Sequence, residues 1–127
     1  MVKVLIVDDE EPILSLLSVI ISSMPEYTIV LARDGQEAID TARVEKPDIM
    51  LLDNRMPGMS GLEVCQSIKS DPLLAQTRIL MLSCQGHNFD WKLAQKLGAE
   101  AYITKPFDTA VLIDKVKEMT TKTKNIK

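Results

Sequence analysis

A four-residue apolar run, Ile49 to Leu52, ends abruptly on a carboxylate, Asp53, and a loop rich in proline and glycine follows it as far as Gly61. Four residues are too few for a helix, and with no polar alternation they read as a strand buried on both faces of a parallel sheet. Parallel neighbours need crossover connections, and open α/β sheets place their chemistry just beyond the carboxyl ends of their strands. Asp53 stands at that place. A strand-end aspartate taken alone is commonly a turn residue, so its significance depends on what the other strands deliver beside it.

The rest of the chain supplies four more strand-helix units. Lys3 to Val7 is an apolar run that stops at the acids Asp8, Asp9, Glu10 and Glu11, and Pro12 then opens a segment with apolar residues at 13, 16, 17, 20, 21 and 24, a helical spacing. Tyr27 to Leu31 predicts a second strand, and Asp34 an N-cap for a helix that turns Ala38, Ile39 and Ala42 inward. Pro47 closes that connection before the Asp53 strand. Ser60-Gly61-Leu62-Glu63 has the spacing of a capping box, predicting a helix with Leu62, Cys65 and Ile68 that Asp71-Pro72 breaks. Arg78 to Ser83 predicts a fourth, doubly buried strand ending on a hydroxyl. A helix over Asn88 to Leu97, with Leu93, Ala94 and Leu97 inward, stops at Gly98. Ala101 to Thr104 predicts the fifth strand, ending at Lys105-Pro106, and Val111, Leu112, Val116 and Met119 mark the last helix.

Strict alternation of strand and helix predicts a three-layer α/β/α sandwich around a five-stranded parallel sheet. Right-handed crossovers with helices on both faces predict strand order 2-1-3-4-5, the flavodoxin-like arrangement. Strands 1 and 3 are then neighbours at the switch point. Asp8, Asp9 and Asp53 are expected to meet there, with Ser83 and Lys105 arriving from strands 4 and 5.

At 127 residues the chain is the size of one domain. No apolar run approaches the roughly 18 residues that span a bilayer, and the N-terminal run breaks too early for a signal peptide; the expectation is a cytoplasmic protein. The net charge of −3 argues against a nucleic-acid surface, and the lysines from Lys115 onward are interspersed with acids and threonines. Cys65 and Cys84 match no metal or redox spacing and read as reduced packing residues.

Crowded carboxylates repel one another, so folding tolerates them only with positive charge between them. Magnesium suits this place, because it prefers oxygen ligands and is typically held by one or two carboxylates while also touching a phosphate. A divalent ion and Lys105 would balance the three acids. An aspartate with its ordinary pKa of about 3.9 is ionised at neutral pH and can attack phosphorus to form an acyl phosphate. Phosphoryl transfer then needs positioning and charge neutralisation, which the ion, Lys105 and the Ser83 hydroxyl can supply.

Val7-Asp8-Asp9, the Leu-Leu-Asp-x-x-Met-Pro-x-x-x-Gly run from Leu51 to Gly61, a strand ending in Ser83, and Thr104-Lys105-Pro106-Phe107 together resemble the receiver domain of two-component response regulators, chemotaxis regulators included. The resemblance covers essentially the whole chain. It implies that Asp53 takes a phosphoryl group from a phosphohistidine on a sensor histidine kinase or histidine phosphotransfer protein. It implies magnesium held by Asp9, Asp53 and the backbone carbonyl of Arg55, with Asp8 acting largely through water. It further implies a switch in which the Ser83 hydroxyl swings toward the phosphoryl group and Tyr102 turns inward, altering the face formed by the fourth helix, fifth strand and fifth helix for a downstream output protein or domain.

Four positions depart from the family pattern or tune it. Cys84 replaces the usual alanine or glycine and is expected to narrow the approach to the phosphoryl group. Arg55 and Gln85 flank the path of hydrolytic water in the family and are expected to set the lifetime of the phosphorylated state. Arg78 stands where many relatives have proline. His87 is the only histidine and reads as a solvated loop residue, while Trp91 is placed early on the fourth helix as a fluorescent reporter of activation.

Other functions fit less well. A flavin site of similar topology would need a hydroxyl- and amide-rich turn where this chain has its run of acids. A phosphatase working through an aspartyl phosphate needs an acid where Arg55 stands. A receiver-like interaction module that is never phosphorylated is the main alternative. The expectation is therefore a switch that takes part in its own phosphoryl transfer and dephosphorylation, without turnover of external substrates. Its domain spans 1–121, with 122–127 a polar tail or the start of a linker. Homodimerisation through the face of the fourth and fifth helices stays open at this level.

Overall fold

The computed structural model describes residues 1–84 and 89–124. Strand and helix alternate as β1 (Val2–Val7), α1 (Glu11–Ser22), β2 (Tyr27–Ala32), α2 (Gly35–Glu45), β3 (Ile49–Asp53), α3 (Gly61–Ser70), β4 (Arg78–Cys84), α4 (Trp91–Lys96), β5 (Ala101–Lys105) and α5 (Thr109–Lys124). All neighbouring strands pair in parallel, in the order β2-β1-β3-β4-β5. The expected sandwich and strand order are both present.

Alternate residues of each central strand feed opposite layers, as the period of two demands. Val4 and Ile6 of β1 and Leu51 of β3 pack with Leu14, Leu17 and Ile21 of α1 and Leu112 and Val116 of α5. Leu5, Val7, Met50 and Leu52 pack on the other face with α2 through Ala38 and Ala42, α3 through Val64 and Ile68, and α4 through Ala94. Both faces of β3 are covered, so every one of its residues is buried. Each large apolar side chain so enclosed contributes about 1.5–3 kcal/mol. The edge strand β5 instead alternates, with Ile103 and Lys105 buried and Tyr102 and Thr104 exposed. A hydrogen bond between the Tyr27 hydroxyl and Thr120 Oγ1, at 3.1 Å, ties the start of β2 to the far end of α5.

Helix ends follow local chemistry. Asp34 caps α2 by accepting the Glu37 N–H at 2.8 Å, and Ser60 with Glu63 forms the expected reciprocal capping box of α3. Arg78 in place of proline has a backbone consequence: its N–H donates to the Asp48 carbonyl at 2.9 Å, a bond proline lacks.

Some expected inward faces are corrected. In α1 it is Leu14 that is buried, whereas Leu16 is 47% exposed. The segment is apolar nearly all round, so spacing alone could not select its inner face. The fourth helix starts at Trp91 with Asp90 as cap, later than Asn88. In so short a helix only Ala94 is buried; Leu93 is 41% exposed and Leu97 is half-buried. Val111 likewise faces solvent, while its neighbour Leu112 is buried. Leu62 is only half-buried, and Val64 takes the inner position.

Candidate functional site

Strands β1, β3 and β5 each deliver one charged group to the carboxyl edge of the sheet, with β4 lying between the last two. Asp8, the residue after β1, is fully buried. Its Oδ1 accepts the Glu10 N–H at 2.9 Å, and its Oδ2 accepts from the Lys105 ammonium at 2.8 Å. Asp53, the last residue of β3, is 2% exposed, and its Oδ1 accepts from Lys105 Nζ at 3.3 Å and from the Arg55 N–H at 3.4 Å. Lys105, the last residue of β5, therefore bridges the two buried aspartates, with Glu10 Oε2 a further 3.9 Å contact.

Backbone packing fixes Asp53 in place. The Asn54 N–H donates to the Leu82 carbonyl at 2.8 Å, extending strand pairing past the acid, and the Gly61 N–H donates to the Asn54 carbonyl at 3.0 Å. That second bond draws the start of α3 against the strand end. A Cβ on Gly61 would lie 2.3 Å from the Asp53 carbonyl oxygen and 2.8 Å from Asn54 Cα. Only glycine fits there, which accounts for the last residue of the Leu51–Gly61 motif.

The charges are unequally compensated. Burial, followed by repulsion from Asp8, pushes the Asp53 carboxyl from the ordinary 3.8 up to about 6, and Lys105 and the Arg55 N–H only partly offset this. Asp53 is thus still mostly ionised at neutral pH, with much less margin than an ordinary aspartate has. For Lys105, burial is the largest influence and opposes its charge, but the hydrogen bond to Asp8 and the charges of Asp53 and Asp8 outweigh it. Its pKa is raised from 10.5, so the ammonium stays protonated.

Asp9 and Glu10 are exposed, and their carboxylates gather with that of Asp8, with ligand oxygens within 4.8 Å of one another. Beside them opens a cleft of about 460 Å³ lined by Asp9, Asn54, Arg55, Met56, Pro57 and Ser60. This all-oxygen group, next to an Asp53 short of positive charge, fits a hard divalent cation.

Of the other expected site residues, Ser83 is buried near the end of β4, opposite Thr104 in the register, and Cys84 stands opposite Lys105. Arg55 is exposed just past Asp53. Gln85 and His87 lie outside the described residues. Tyr102 is 42% exposed on β5, with its ring centroid 4.9 Å from that of Trp91 and 5.6 Å from that of Phe89. Sequence reasoning missed Glu10 as a member of the carboxylate group and Phe89 as a partner of Tyr102. The run of four acids was a signal for the first; the second had none, because ring contacts between a loop and a strand leave no spacing to read.

Among the described residues no helix is long and apolar enough to cross a membrane. Cys65 is buried, its Sγ directed at the Leu97 carbonyl at 3.6 Å, and burial raises its pKa to about 11. It is an inert packing thiol.

A parallel α/β sheet that collects buried aspartates and a lysine at its carboxyl edge defines a receiver-type signalling domain. The chain belongs to the response regulator receiver domain family, whose sequence model matches residues 4–117. It is 40% identical over 115 residues to the alkaline phosphatase synthesis transcriptional regulatory protein PhoP of Bacillus subtilis (strain 168), an overlap covering 91% of this chain and 47% of that protein. The chain thus spans about half the length of that relative. Among solved structures, the Vibrio cholerae chemotaxis protein CheY4 superposes with a TM-score of 0.86 at 28% identity, covering 94% of this chain and 98% of that one. The signal receiver domain of a signal transduction histidine kinase from Syntrophus aciditrophicus gives 0.89 at 28% identity, covering 100% and 96%.

Proposed function

We propose that the chain is the phosphoacceptor switch of a two-component system, with Asp53 as the residue that is phosphorylated. The observation that carries this reading is the Lys105 ammonium, held 2.8 Å from Asp8 and 3.3 Å from Asp53 at the sheet edge. It is a fixed cation beside a buried carboxylate whose charge is under-compensated.

The ionised Asp53 carboxylate attacks the phosphorus of a phosphohistidine; the new P–O bond forms as the P–N bond breaks, and the imidazole leaves with the bonding electron pair. Lys105 exchanges its contact with Asp53 for one with a phosphoryl oxygen, and the Ser83 hydroxyl donates to another. Asp8, Asp9, Asp53 and the Arg55 carbonyl would hold magnesium, with the Glu10 carboxylate close by. When bound, the ion neutralises charge on the carboxylates and the phosphoryl oxygens. Tyr102 then turns inward, and the α4, β5 and α5 face passes the state to an output protein or domain. Arg55, with Gln85 and Cys84, controls access of water and phosphodonor. The switch takes part in its own phosphorylation and dephosphorylation. The domain is assigned to 1–121, with 122–127 as a tail or linker, working in the cytoplasm with a sensor histidine kinase or histidine phosphotransfer protein.

The test is incubation with magnesium and acetyl phosphate, followed by intact-mass measurement beside Asp53→Asn. A phosphoryl increment that needs magnesium and is absent from the variant is expected. Absence of the increment, together with failure to bind beryllofluoride, would leave an unphosphorylated interaction module as the function.

A further inference from the structure

We propose that Phe89 and Trp91 form an aromatic clamp that holds Tyr102 in its outward orientation, and that they are positioning residues setting how readily the switch turns on. The inference rests on the reading of Tyr102 as the switch residue and adds the side chains that oppose its movement.

Three of the chain's five aromatic residues meet on the outer side of β5. Tyr102 is tilted by 41° to Trp91 at 4.9 Å and by 49° to Phe89 at 5.6 Å, and Phe89 and Trp91 are themselves 6.5 Å apart. All three separations lie in the range where aromatic pairs attract beyond simple burial. Two members of the cluster are anchored. Phe89 and Trp91 are half-buried against the core of the α2, α3 and α4 face. Trp91 is also the first residue of α4, directly after Asp90, which caps the helix by accepting the Leu93 N–H at 3.0 Å. Tyr102 is the exposed member, at 42%, on a strand whose neighbouring residue Ile103 points into the opposite core.

Turning inward takes the Tyr102 ring away from both partners at once. The energies of such pairs imply that the clamp favours the outward state by roughly 5- to 150-fold, a bias that any activating ligand has to overcome. The chain's only tryptophan is thereby part of the switch, and its fluorescence reports departure of the tyrosine ring.

The test uses the full chain with magnesium and beryllofluoride as the phosphoryl mimic. Trp91→Leu is expected to tighten beryllofluoride binding by roughly 2- to 10-fold, since one of the two ring pairs is lost and leucine retains part of the contact. Trp91→Phe, which keeps a ring, is expected to stay near wild type. In a Tyr102→Ala background Trp91→Leu should have no effect, whereas a purely structural role of the tryptophan would change affinity in both backgrounds. An unchanged or weakened affinity in Trp91→Leu, or an effect that persists without Tyr102, overturns the clamp. Phe89→Leu, expected to act in the same direction, replaces Trp91→Leu should that variant fail to fold. NMR side-chain couplings of Tyr102 in the unliganded protein give a separate readout, in which the inward rotamer must gain population in the leucine variant. If the wild type binds no beryllofluoride, the phosphoacceptor reading falls, and the clamp stands or falls on these rotamer populations.

Discussion

Replacing Asp53 with asparagine should stabilise the cation-free protein at alkaline pH. The side chain is 2% exposed, and burial with repulsion from Asp8 raises its pKa from 3.8 to about 6. Because the folded state holds this proton more tightly than the unfolded chain does, wild-type stability must fall as pH rises from about 4 to about 6, then level off. At roughly 1.36 kcal/mol per pH unit, ionised Asp53 costs about 3 kcal/mol before discount. Solvent in the adjoining cleft screens part of that, leaving about 1–2 kcal/mol. Asparagine avoids the cost yet keeps an oxygen for Lys105 and the Arg55 N–H. Urea denaturation of both proteins in EDTA, from pH 4 to pH 8, measures the difference. The variant should gain about 1–2 kcal/mol at pH 8 and lose most of this advantage toward pH 4; millimolar magnesium should narrow the gap at pH 8 by favouring the charged aspartate. A variant no more stable than wild type at pH 8, or an advantage independent of pH, would refute the argument that Asp53 is buried with too little positive charge.

The remaining expectations concern the groups around it. Lys105→Met removes the cation shared by two buried carboxylates and should cost about 3 kcal/mol at pH 8, less at pH 5 where Asp53 is protonated; equal losses in urea melts at both pH values would contradict this. Gly61→Ala forces a Cβ to within 2.3 Å of the Asp53 carbonyl, so the loop must move. A loss of about 2–4 kcal/mol and slower phosphoryl uptake from acetyl phosphate are expected, and wild-type values of both would show that the close approach is not required. Ser60→Ala breaks the capping box of α3 and should lower stability by about 1 kcal/mol, read by thermal unfolding, with phosphoryl uptake retained.

The central strands were legible because both of their faces are buried, which writes an unbroken apolar run into the chain. Asp53, the last residue of β3, and Ser83, one residue before the end of β4, followed from where those runs stop. The inner faces and starts of the helices were less legible. In α1 a nearly continuous apolar stretch concealed that Leu14, not Leu16, faces the sheet, and the helix expected from Asn88 begins only at Trp91, after the cap Asp90.

The sequence by itself determined the alternation of elements, hence the parallel sheet, and with the sheet the meeting of Asp8, Asp53 and Lys105 at one edge. These are consequences of local pattern and of crossover geometry, which the order of residues carries. Only the tertiary structure decided which oxygen takes which donor: that Lys105 spans Asp8 and Asp53, that Glu10 joins the acids, that α3 presses Gly61 against the Asp53 carbonyl, and that Phe89 and Trp91 close on Tyr102. Charge compensation and ring packing act over a few ångströms between residues distant in the chain. No spacing in the sequence records them until the strands are in register.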